Sequence, residues 1–180
     1  LPAEDCRARQ FDIGTGGGCE NFCIPTGAQF GTVNGAMTFL NCVSFNGRIG
    51  YAVLDASSGM VVQNCVYYAN ALGITNTAVY LNTVGLLSYL DSVSFGAGDG
   101  FAFTPDPLGT PIGENHNDIF NFASNGRTLN PTDIQIDPLF QGYMNGDFVA
   151  TAAAARTASS GGGPIGVVYP GGEKIIWCTN

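Results

Sequence analysis

An all-β solenoid, a parallel β-helix of about four coils with three strands per coil, is the fold this sequence predicts. Three observations carry it. The phrase Leu40-Asn41-Cys42-Val43-Ser44-Phe45 returns as Gln63-Asn64-Cys65-Val66-Tyr67-Tyr68, as Leu90-Asp91-Ser92-Val93-Ser94-Phe95 and, more faintly, as Asn117-Asp118-Ile119-Phe120. A second phrase keeps nearly the same period out of phase with the first: Tyr51-Ala52-Val53-Leu54, Ala78-Val79-Tyr80-Leu81 and Phe101-Ala102-Phe103, with alanines at 52, 78 and 102. The third is composition: 26 of the 180 residues are glycine and only 11% are charged, which suits tight turns and stacked strands better than long amphipathic helices.

Residues 1–29 hold Cys6, Cys19 and Cys23, the run Gly14 to Gly18, and Pro25, with neither a period of two nor one of 3.6. They read as a loop-rich, cysteine-containing N-terminal cap. The glycine run lacks the Gly-Lys-Ser/Thr ending of a phosphate-binding loop and serves as a turn. Coils follow over 30–149. Each contains three short apolar runs separated by turn formers, as in Met60-Val61-Val62, Val66-Tyr67-Tyr68 and Ala78-Val79-Tyr80-Leu81. Runs this short and rich in β-branched and aromatic residues are strands.

On such a coil equivalent residues stack in columns about 4.8 Å apart. The expectation is that Val43, Val66, Val93 and Ile119 form one inward column. Asn41, Asn64, Asp91 and Asn117 then form a structural ladder at a repeated bend, since Asn and Asp tolerate left-handed backbone angles. Cys42 and Cys65 stand one residue further along, either as stacked small core residues or as a rung-to-rung disulfide. Residues 150–180 are expected to be a C-terminal cap, hairpin or arm. The alanine-rich stretch after Ala150 reads as a short helix over the solenoid's end, and strands flank Pro170-Gly171-Gly172.

Fourteen acidic against six basic residues give a net charge of −8, and Lys174 is the only lysine. That balance argues against nucleic acid and anionic membranes as partners. No apolar run reaches the ~20 residues of a membrane span. Six cysteines, with Cys6, Cys19 and Cys23 near one end and Cys178 near the other, point to disulfides rather than zinc, because only Cys19 and Cys23 form a close pair. With the absent initiating Met, they lead to the expectation of a mature secreted product, extracellular or on a particle surface, or a fragment of one.

The insertion between Gly96 and Asn117 is the most site-like stretch. Asp99, Asp106, Glu114 and Asp118 are candidate calcium ligands, calcium being the one cofactor the sequence suggests, although no EF-hand spacing accompanies them. His116, Asp118 and Arg127 are the candidate catalytic groups.

Near the end of the coils stand Asp137-Pro138-Leu139-Phe140 and Gly146-Asp147-Phe148. With the Asn-Cys-Val steps, these make residues 36–150 resemble secreted right-handed parallel β-helix proteins of the pectate-lyase-like class, which finish their coils with Asp-Pro-x-Phe followed by Gly-Asp-Phe or Gly-Asp-Tyr. The resemblance implies the fold; its members include lyases, hydrolases, adhesins and viral spike parts. It also implies where catalytic groups would lie. The hydrolase branch's Gly-His-Gly and Arg-Ile-Lys signatures do not occur, and the family's Ser-Pro-Ala-Ile-Asp-x-Gly ending is replaced by an alanine stretch.

Two function classes follow. The first is a non-enzymatic structural protein acting by assembly with itself or other structural subunits, as a filament subunit or a spike or decoration of a larger particle. A stack near ~20 Å is short for an oligosaccharide groove, and the end coils of a solenoid require capping or a partner. The alternative is a carbohydrate-active enzyme or carbohydrate-binding module that meets polysaccharide through Tyr67, Tyr80, Tyr89 and the 96–118 loop.

Overall fold

The computed structural model describes residues 17–20, 23–24, 30–32, 37–45, 49–53, 60–69, 77–81, 87–104, 112–140, 142 and 147–167. Its strands are β1 (Gly17–Glu20), β2 (Cys23–Ile24), β3 (Phe30–Thr32), β4 (Met37–Leu40), β5 (Val43–Phe45), β6 (Ile49–Val53), β7 (Met60–Gln63), β8 (Val66–Tyr68), β9 (Thr77–Leu81), β10 (Leu87–Leu90), β11 (Val93–Phe95), β12 (Phe101–Phe103), β13 (Ile112–Asn115) and β14 (Asp118–Phe120). Every third strand pairs in parallel. The three sheets run β1-β4-β7-β10-β13, β2-β5-β8-β11-β14 and β3-β6-β9-β12. This is a parallel β-helix with three strands per coil.

The first coil begins at Gly17, inside the stretch expected to be a loop-rich cap. β1 pairs with β4 and β2 with β5, so two of the sheets hold five strands and the third holds four. Glycine-rich Gly17-Gly18-Cys19-Glu20 lacks a strand's usual composition; pairing with Met37–Leu40 places it.

The bend between the first and second sheets is the most regular feature. Asn41, Asn64, Asp91 and His116 all take left-handed backbone angles, with φ of 54°, 52°, 49° and 55°. The ladder continues through it: Asn41 N donates to Gln63 O at 3.0 Å, and Val66 N to Cys42 O at 2.8 Å. His116, not Asn117, therefore fills the fourth bend. Leu90 pairs with Asn115 and Val93 with Asp118, which moves Asn117 one place on, into the column of Cys42, Cys65 and Ser92.

That column has a chemistry of its own. Cys42 N donates to Cys65 Sγ at 3.3 Å, Cys65 N to Ser92 Oγ at 3.1 Å, Ser92 N to Asn117 Oδ1 at 3.0 Å, and Asn117 N to Asp133 Oδ1 at 2.8 Å. At the bend a backbone amide misses the regular ladder, and the side chain one coil on supplies its acceptor. Thiol, hydroxyl, amide and carboxylate all serve. No disulfide joins Cys42 and Cys65.

The valine column is also corrected. Val43, Val66 and Val93 pair in register with Asp118, whereas Ser44, Tyr67, Ser94 and Ile119 form the inward column. A shift of one residue exchanges the faces of a strand. β8 is buried on both faces, so its inner and outer residues are alike in polarity and the alternation that marks a core face is lost. In the third sheet the slip is two residues: Ile49 pairs with Thr77 and Tyr51 with Val79, so Gly50, not Ala52, stands opposite Ala78.

Two cores result. The inner one contains Phe39, Tyr51, Met60, Val62, Tyr67, Val79, Tyr89, Phe103 and Ile119. The outer one lies on the second sheet, where Val43, Val66, Val93 and Tyr68 are covered by Phe148, Ala150, Ala152, Ala155, Ile165 and Val167. An aromatic column, Phe45, Tyr68, Phe95 and Phe120, climbs this outer face. Neighbouring centroids are 5.6, 5.0 and 5.7 Å apart, and Phe140 and Phe148 pack across it.

The alanine stretch therefore does not form a helix over the solenoid's end. Residues 153–157 are turns laid along the side of the coils. The end is covered by 121–137 instead: Ser124 bridges Phe101, Ile134 bridges Asp118, and Phe122 and Leu129 pack on the inner core. The proposed strands around Pro170 and the cysteines Cys6 and Cys178 lie outside the described residues. Cys19 sits in β1 and Cys23 in β2.

Candidate functional site

Where the last coil meets its cap, the chain places Glu114, His116, Asp118, Arg127, Asp133 and Asp137 near one another. The inward column of the first sheet passes from Phe39 through Val62 and Tyr89 to Glu114, so an acid occupies the place that large apolar groups hold in the earlier coils. Glu114 is 6% exposed. Arg127, in the cap, brings its Nε to 3.6 Å from Glu114 Oε1 and sets its guanidinium 5.9 Å from the centre of the Phe103 ring. Glu114 Oε2 has no hydrogen-bond partner. Burial pushes the Glu114 carboxyl up to about 7, with Arg127 opposing the shift and Asp133 adding to it.

Asp118 ends the valine column on the other side of the bend and is fully buried. Its Oδ1 accepts from Ile136 N at 3.1 Å, while Oδ2 is unpartnered. Burial raises this carboxyl to about 7 as well; the Ile136 amide opposes the shift and Asp137 adds to it.

His116 lies on the bend between them. Its backbone N donates to Thr132 Oγ1 at 3.1 Å, and its ring Nδ1 lies 3.0 Å from Asn115 Oδ1. Asn117 is fixed from three sides, its Nδ2 donating to Tyr89 O at 2.9 Å and to Asp133 Oδ1 at 3.1 Å. Asp133, which the sequence did not single out, terminates the side-chain column and also accepts from Asn130 N at 3.1 Å. Its signal was present in Asn130-Pro131-Thr132-Asp133, a turn in which Asn130 Oδ1 accepts from both the amide and the hydroxyl of Thr132.

Each of the three candidate catalytic groups has its own partner: Arg127 pairs with Glu114, Asp118 holds the Ile136 amide, and His116 meets Asn115 and Thr132. Of the candidate calcium ligands, Glu114 and Asp118 lie on the last coil. Asp106 lies outside the described residues, and among the described residues no three His, Cys, Asp or Glu side chains gather. Tyr67 and Tyr89, proposed above as sugar-facing aromatics, are fully buried, with the Tyr89 hydroxyl 2.6 Å from Ser94 Oγ. Tyr80 is half-buried.

A second polar cluster fastens the covering segment. The Asp91 carboxylate accepts from Ser160 N at 2.6 Å, from Ser160 Oγ at 2.8 Å and from Gln63 Nε2 at 3.4 Å, while Asp91 O accepts from Gly166 N at 2.7 Å. Gly166 has φ of +80°, and a Cβ there would stand 2.9 Å from Val93 Cγ2, so only glycine lets the chain lie this close to the valines. Asp91 is thus both bend and latch. Asp91→Asn keeps the left-handed bend but loses charge and acceptor capacity; it is expected to cost about 1–3 kcal/mol in urea unfolding, while Asn64→Asp should cost less than half of that.

Scans against protein-family models, curated proteins and solved structures each found no match to this chain. Among the described residues no helix is long and apolar enough to cross a membrane.

Proposed function

We propose that this chain is a non-enzymatic structural module of secreted or particle-surface type, related to the pectate-lyase-like β-helices, that acts by assembling with copies of itself or with other structural subunits. The observation that carries the reading is the use made of the buried and bend-forming polar side chains of the described coils. His116 forms a bend, Asp118 holds the Ile136 amide of the cap, Glu114 and Arg127 pair at the mouth of the core, and Asp91 latches the covering segment. A hydrolase on such a scaffold needs two or more carboxylates facing one groove, and a lyase needs a base beside a charge-neutralised substrate. Here Glu114 and Asp118 are buried under the cap, and Asp91 is buried against the covering segment.

The Asp-Pro-x-Phe and Gly-Asp-Phe segments support the same relation in physical terms. Asp137 Oδ1 accepts from Leu139 N and Asp147 Oδ1 from Val149 N, two small turns that aim Phe140 and Phe148 at the aromatic column. They read as fittings for covering a coil wall. The test is a screen of acidic and neutral polysaccharides, with and without calcium, followed by product release. No turnover is expected. Turnover of any of them overturns the structural reading, and binding without turnover moves it towards an adhesive module.

A further inference from the structure

Glu114 and Asp118 are four residues apart in the last coil and lie on opposite sides of its bend. Each is at least nine-tenths buried and each has one carboxyl oxygen with no hydrogen-bond partner. The same segment, 121–137, covers both. It reaches Glu114 through Arg127 and Asp118 through the Ile136 amide, and it pairs with β14 where Ile119 N donates to Ile134 O at 2.9 Å and Ile134 N to Asn117 O at 2.8 Å. An unpartnered carboxylate oxygen out of water is costly, whereas a protonated carboxyl is much less so.

We propose that segment 121–137 is an ionisation-controlled end cap, which stays closed over the last coil while Glu114 and Asp118 carry their protons and is released as both lose them. Release uncovers Asn117 O and Ile119 N, the pairing groups at the edge of β14. Among the described residues, the charged and titratable groups facing Glu114 are Arg127 and Asp133 from the cap and Tyr89 from β10; Asp137 of the cap faces Asp118. Arg127 favours the ionised Glu114, so the pair moderates the switch without reversing it. Both carboxyls are raised by burial to about 7. The closed cap therefore binds more protons than the open one between the ordinary carboxylate range near ~4 and about 7. Its stability is full below that window and is lost as pH rises through it.

Hydrogen exchange of the whole chain tests this. The readout is the protection of Ile119, Ile134 and Ile136 amides relative to Val66 and Val93 in the middle of the stack, which cancels the intrinsic pH dependence of exchange. In the unaltered protein, relative protection of the cap amides is expected to fall at least about tenfold between pH 4.5 and pH 7.5. In the Glu114→Gln, Asp118→Asn double variant it is expected to stay within about twofold. His116→Asn, which keeps the left-handed bend, should leave the fall in place and so separates the imidazole from the two acids. A flat profile in the unaltered protein overturns the proposal. So does an undiminished fall in the double variant or, should that variant not fold, in both single variants.

Discussion

Phe148→Ala is expected to cost about 3–5 kcal/mol in urea unfolding and to loosen the covering segment before the coils. Phe148 is fully buried, with its ring 5.5 Å from Phe45, 5.8 Å from Tyr68 and 5.8 Å from Phe140. It joins the aromatic column of the second sheet to the segment above it. Removing the ring leaves a cavity between two layers, of which only the outer one can move. Amides of the cover, such as Thr151, Ile165 and Gly166, which donate to Pro138 O, Ala155 O and Asp91 O, should lose exchange protection first. Leu139→Ala is the matched control. Leu139 is 56% exposed, and its loss should stay within about 0.5 kcal/mol. Equal costs for the two substitutions would mean that the outer core does not exist.

Tyr51→Ala is expected to cost a similar ~3–5 kcal/mol, with a different distribution. Tyr51 fills the inner core between Phe39 and Tyr89, with ring centroids 6.1 and 6.2 Å away, and its hydroxyl lies 3.3 Å from Cys42 O and 3.2 Å from Val66 O. The hydroxyl thus ties the third sheet to two successive coils at the bend. Burial drives its pKa well above the ordinary tyrosine value, so the ring stays neutral and the tie is independent of pH in the working range. Tyr51→Phe keeps the ring and loses only the tie, which should cost about 1 kcal/mol. Because inner-core packing is shared by every coil, Tyr51→Ala should lower protection of coil and cover amides together. Unfolding of the cover alone in Tyr51→Ala would contradict this division into two cores.

The period of the phrases and the three runs per coil made the parallel stack legible, because a solenoid repeats its backbone before it repeats its side chains. Faces were harder. Val43, Val66 and Val93 look like core residues and are buried, yet they point away from the axis, and the reason lies some 50 to 120 residues further on in Phe148, Ile165 and Gly166. No local pattern in β5, β8 or β11 reports a cover supplied from so far along the chain. His116 hid for a related reason: a left-handed bend favours Asn, Asn117 stood beside it, and only the pairing of Leu90 with Asn115 decides between them. The closeness of Glu114, His116 and Asp118 was legible in the sequence, and all three lie on the last coil. The role of each group was not, because burial of Glu114 and Asp118 depends on how 121–137 folds back.

The assembly proposed above would be made through the outer surface of the coils and their covers. Light scattering of the purified chain over a hundredfold range of concentration tests that directly. The expected result is a mass that rises above the 18.7 kDa of the single chain towards dimers, trimers or filaments as concentration increases. A mass that stays at the single-chain value throughout the range would contradict self-assembly as this protein's function.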